Sequence, residues 1–180
     1  KKISNSIYID SNPEDISLSN KYFAEYLLKK KSLKLDDVLK KMDKSFSSKN
    51  FSSEFQYEIN NAQKKVDECP FELGGPTSLA LTFYVTEYLK AERVVETGVA
   101  YGWATLSILF SLRNRPESRL HSVDLPYAHV NNDNWVGCAV PLELRKQWSL
   151  LRCADRDGLP KIFSKLGKID LAHYDSDKSF

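Results

Sequence analysis

The chain has 180 residues, 26 Lys and Arg against 24 Asp and Glu, a net charge of +2 and 42% hydrophobic residues. That composition suits one globular domain. It gives no electrostatic footprint for nucleic acid and no apolar run of membrane-spanning length. Three cysteines, Cys69, Cys138 and Cys153, are odd in number and lack metal-ligand spacing, which argues against a disulfide framework; the cytoplasm is the expected compartment.

The first seventy or so residues are rich in Lys, Ser and Asn and read as three helices. Ser19 or Asn20 caps the first, over residues 21–28, and the Lys29-Lys30-Lys31 run at its end complements the helix dipole. Ser32 caps a second, over residues 35–42. In the third, Phe55, Ile59, Ala62 and Val66 recur at helical spacing after Ser52-Ser53. These narrow apolar stripes need a surface to pack on, so residues 1–73 are expected to form a helical extension: a lid, a dimerisation arm, or helices lying on the main domain at 74–180.

Between the two lies a loop, Pro70 to Pro76, containing Gly74-Gly75, followed by a helix opened by Thr77 or Ser78. Arg93-Val94-Val95 then reads as a buried strand, Glu96 to Gly102 as a glycine turn, and Trp103 to Phe110 as a helix starting at the turn. In open α/β sheets nucleotide-like cofactors sit at such a strand-to-helix junction. A dinucleotide fingerprint needs three glycines as G-x-G-x-x-G to approach a pyrophosphate. Here Gly98 and Gly102 stand alone, three residues apart, and the carboxylate of Glu96 repels phosphate and suits an ammonium or sulfonium group. A second strand, Arg119 to Asp124, also ends in a carboxylate, where ribose hydroxyls are accepted in doubly wound folds.

After Asp124 comes a polar loop, Tyr127 to Cys138, with His129 as a candidate base and Trp135 as a candidate acceptor platform, and then a helix expected from Pro141. A third strand, Ser149 to Cys153, runs into Ala154 to Pro160, and a fourth, Ile169 to Tyr174, into Asp175-Ser176-Asp177-Lys178.

The turn Glu96-x-Gly98-x-x-x-Gly102 resembles that of class I S-adenosylmethionine-dependent methyltransferases. Asp157, Leu159 and Pro160 after the third strand, and Asp175, Asp177 and Lys178 after the fourth, resemble small-molecule O-methyltransferases of the catechol and caffeoyl-CoA type. Asp175 to Phe180 is similar as well to bacterial sugar and antibiotic O-methyltransferases. Cys153-Ala154 and Ala104 depart from the pattern, standing where that group carries Gly-Asp and often Ser.

The resemblance implies a Rossmann-like sheet with helices on both faces, truncated after the fourth strand. It implies S-adenosylmethionine over Glu96, Gly98, Tyr101 and Gly102, ribose on Asp124 and adenine near Asp155. It also implies Asp175 as a ligand of a divalent cation such as magnesium, Lys178 as the base, and a small-molecule acceptor. A homodimer is expected from the exposed sheet edge. The rival readings are a methyltransferase-fold binding module without chemistry and a dinucleotide-dependent oxidoreductase.

Overall fold

The structure, a computed structural model, describes residues 22, 23, 26, 32–126 and 133–176. The chain divides into two compact units, 1–34 and 35–180. In the first, Tyr22, Phe23 and Tyr26 are helical.

The second unit opens with α1 (Leu35–Met42) and α2 (Ser48–Asp67). The sequence pattern places the start of α2 after Ser53, yet the helix begins at Ser48 because Ser47 supplies an N-cap: its Oγ accepts from the Asn50 amide at 3.2 Å. The gain is Phe51, which the earlier start turns onto the same buried face as Phe55. There follow α3 (Leu79–Tyr88), β1 (Arg93–Thr97), α4 (Trp103–Leu112) and β2 (Arg119–Asp124). The chain continues through a 3-10 turn at Arg145–Gln147 into β3 (Trp148–Arg152), α5 (Asp155–Leu166) and β4 (Leu171–Tyr174). The helix expected from Pro141 is reduced to turns and that 3-10 segment, and Asp157, Gly158 and Pro160 lie inside α5.

All pairings are parallel and the strand order is β3-β2-β1-β4. Alternation along the strands splits the side chains between two layers. Val94 and Leu120 face a large core with α4, whereas Val95 and Val123 face a small one with Ile162 of α5. With helices on both faces, the sheet is open and doubly wound, a Rossmann-like architecture. α4 shows no polar stripe because it is enclosed, with every residue from Thr105 to Leu112 buried.

Helices α1 and α2 share the large core with α3 and α4. Phe55 stacks on Phe110 with ring centroids 4.3 Å apart, and Phe51 lies 5.3 Å from Phe83. Residues 35–73 are therefore part of the same compact unit as residues 74–180. Aromatic residues on α2 find their partners on α3 and α4, which makes packing their principal contribution.

At the amino end of β1, Asp170 pins the register of β4. Its Oδ2 accepts from the Glu92 and Arg93 amides at 3.2 and 3.0 Å, while its own amide donates to the Arg93 carbonyl at 2.9 Å. Those backbone donors, led by Arg93, hold the Asp170 carboxyl low, at about 2.

Candidate functional site

From β1 the chain proceeds through β2 to β3 in one direction, then returns to place β4 on the other side of β1. The order reverses between β1 and β4, and ligands of open α/β sheets bind outside the carboxyl ends of the strands at such a reversal. The Gly98–Gly102 turn occupies this position.

Its backbone requires glycine. Gly98 has φ +76°, and a Cβ there would lie 2.5 Å from the Asp175 carbonyl oxygen. Gly102 has φ +89° and is the N-cap of α4; a Cβ would lie 2.9 Å from Gly137 Cα. Ala100 also adopts positive φ, +50°, a conformation that is costly for an alanine and concentrates at functional turns.

Asp124, at the end of β2, holds the turn from beneath. Its Oδ2 accepts from the Val99 and Ala100 amides at 2.6 and 3.0 Å, and its Oδ1 accepts from Arg152 Nη1. Arg152 also pairs with Asp133 at 2.8 Å, tying the end of β3 to the segment after the polar loop. That segment is stitched to the turn, since the Gly137 amide donates to the Ala100 carbonyl and the Ala139 amide to the Tyr101 carbonyl, both at 2.9 Å. Tyr101 donates its hydroxyl to the Phe71 carbonyl at 2.6 Å, and Gly74 stands across from Ala100.

Glu96 lies under the turn, inside the large core, and is fully buried. Its Oε2 accepts from Thr105 Oγ1 of α4 at 2.7 Å and from Ser122 Oγ of β2 at 2.6 Å. Ser122 in turn accepts from Trp148 Nε1 at 2.9 Å. Burial pushes the Glu96 carboxyl up to about 7, against the two hydroxyl donors that favour its charge; Asp124 and Asp175 add to the rise. Two buried polar atoms at this end, Glu96 Oε1 and Thr97 Oγ1, have no hydrogen-bond partner among the described residues. Unpaired buried polar atoms are costly, so their presence at the switch point marks a site built for something other than stability.

Asp155 is the first residue of α5 and accepts from Ser176 Oγ at 2.6 Å. Asp175 follows β4, is exposed, and donates its amide to the Thr97 carbonyl at 2.9 Å. Gly98, Asp124, Asp155 and Asp175 thus ring the carboxyl end of the sheet, with Glu96 below and Tyr101 turned toward the Phe71 loop. Lys178 and His129 lie outside the described residues. Trp135 lines an open groove of about 400 Å³ with Asn134, Cys138, Arg145, Lys65 and Glu68. Among the described residues no group of three or more His, Cys, Asp or Glu converges as a metal site. The described neighbours of Asp175 do not by themselves make up such a group.

Arg152, Ser122 and Thr105 escape a reading by motif. For Ser122 a signal exists: it follows Leu120 by two residues, a polar side chain at a position whose alternation points into the core. Arg152 carries none, because its partners are 19 and 28 residues away.

The chain matches no protein-family model and no curated protein. Among solved structures it is similar to a SAH-bound methyltransferase from Podospora anserina at 13% identity and a TM-score of 0.49, over 94% of this chain and 61% of that one. It is similar also to an O-methyltransferase from Bacillus cereus in complex with SAH, at 16% identity and a TM-score of 0.46, over 86% of this chain and 60% of the other. The chain thus spans less than two thirds of the length of either structure. Identities this low leave the role of each residue to be argued from its own surroundings. No helix among the described residues is long and apolar enough to cross a membrane.

Proposed function

We propose that this protein is an S-adenosylmethionine-dependent methyltransferase acting on the hydroxyl of a small molecule. The observation that carries the reading is the glycine turn at the β1/β4 reversal, flanked by the carboxylates of Asp124, Asp155 and Asp175. An acidic, glycine-lined crevice favours a cationic sulfonium ligand and disfavours a pyrophosphate. In this reading the cofactor lies over Gly98 to Gly102, with Tyr101 fixing the turn through Phe71. Its ribose hydroxyls donate to Asp124, competing there with Arg152, and its adenine lies near Asp155. Glu96 acts from below, its charge separated from the sulfonium by the turn.

The acceptor lies near Asp175 and Lys178, with Trp135 as a candidate platform. Lys178 takes the proton of the acceptor hydroxyl on its Nζ. The oxygen attacks the methyl carbon in line with sulfur, the C–S bond breaks, and S-adenosylhomocysteine leaves as a neutral thioether. Most of the rate then comes from holding the two reactants at attack distance, where effective molarities reach about 10⁵ M or more.

Isothermal titration with S-adenosylhomocysteine and with NAD tests this directly. The expected result is binding of S-adenosylhomocysteine in the micromolar range and none of NAD. The reverse preference assigns a dinucleotide enzyme, and binding of neither overturns the reading.

A further inference from the structure

Away from the crevice, on the α5 face of the sheet, lies a small cleft of about 80 Å³. Its lining combines His121 of β2, Ser149 and Leu151 of β3, and Lys161, Ile162 and Lys165 of α5. His121 precedes Asp124 by three residues, about 10 Å along the strand, so the cleft is separate from the turn. His121 and Ser149 are register partners on neighbouring strands, and Lys161 and Lys165 are one helical turn apart, so both pairs present adjacent side chains.

We propose that this cleft binds a small tetrahedral oxoanion, a phosphate or phosphate ester, between Lys161, Lys165, His121 and Ser149. Three of these groups carry or can acquire positive charge, and Ser149 offers a hydroxyl donor. No carboxylate lines the cleft, and neither lysine reaches one within salt-bridge distance among the described residues. Leu151 and Ile162 provide an apolar floor, which strengthens a charge contact by excluding water. Lysine ammonium groups bind phosphate as point charges and impose no planar geometry, which suits a tetrahedral ligand. The volume has room for a few waters and therefore for one such anion.

The groups facing His121 agree with this. Its strand neighbours are Val95 of β1 and Ser149 of β3; α5 presents Lys161 and Lys165; its own strand contributes Arg119. Asp157, one turn before Lys161, is directed to Arg156 at 3.9 Å. Burial holds the imidazole below its ordinary value, and Lys165 and Arg119 hold it lower still. An anion seated between the cations reverses that field, so binding and His121 protonation reinforce each other.

The test is an NMR pH titration of the His121 ring in the 180-residue protein, in inorganic phosphate and in chloride at equal ionic strength. Phosphate is expected to raise the His121 pKa saturably, by about half a pH unit or more over chloride. In the K161Q/K165Q variant, which alters exposed positions, the difference is expected to vanish. Identical titration in both salts, or a phosphate effect that survives in the double variant, overturns the proposal. A parallel arm with methyl phosphate separates the two sources: tighter saturation than inorganic phosphate assigns an ester, weaker saturation the free ion.

Discussion

Phe51, Phe55, Phe83 and Phe110 meet in a layer built ring on ring, whereas the carboxyl end of the sheet buries Glu96 in a web with Thr105 and Ser122 and buries Asp124 against the glycine turn. The first region closes on itself, ring against ring at 4.3 to 6.5 Å. The second leaves Glu96 Oε1 and Thr97 Oγ1 without hydrogen-bond partners among the described residues and holds Ala100 at positive φ. Side by side they separate two uses of burial, one for stability and one that tolerates cost where a ligand is to be received.

Removing a ring from the aromatic layer gives the largest expected loss. Phe55→Ala empties a fully buried site stacked on Phe110 and should cost about 3–5 kcal/mol, read as a shift in the denaturation midpoint. A loss under about 1 kcal/mol would show that α2 is an appendage instead of a wall of the core.

Glu96 gives the next effect, and its sign is set by the direction of its shift. The native carboxyl titrates near 7 against 4.5 for the free group, so the folded state holds the proton more tightly. Stability from this group is complete below pH 4.5, falls as pH rises to about 7, and is level above that; the span corresponds to about 3 kcal/mol. Glu96→Gln keeps a neutral group of the same shape and should flatten this part of the pH-stability curve. An unchanged curve would mean that Glu96 is ionised at little cost.

Gly98→Ala tests the turn. The added methyl meets the Asp175 backbone at 2.5 Å in a left-handed conformation, for an expected loss of about 1–3 kcal/mol. Binding of S-adenosylhomocysteine should weaken more than tenfold, because the turn and the Asp175 segment must part. Unaltered binding would move the cofactor away from the switch point.

Local order was legible in the sequence where chemistry is local. β2 is bounded as expected at Arg119 and Asp124, and α4 starts at Trp103, because an apolar run after a glycine turn leaves few alternatives. The positions of Gly98, Gly102, Asp124, Asp155 and Asp175 at one end of the sheet followed from Asp124 ending a strand and the others coming after one. The burial of Glu96 did not follow, since β1 extends to Thr97 and turns that side chain toward α4, where Thr105 and Ser122 wait. The place of α2 on the main domain was one of three alternatives, because its apolar stripe is narrow until Phe51 joins it. Arg152 was silent because long-range ion pairs leave no periodicity.

The most direct measurement of the central claim is backbone amide NMR on addition of S-adenosylhomocysteine, which locates the ligand as well as detecting it. The expected changes centre on Val99, Ala100, Gly102 and the amides around Asp124 and Asp155. Shifts confined to the other end of the sheet, or none at saturating ligand, would contradict a cofactor crevice at the β1/β4 reversal.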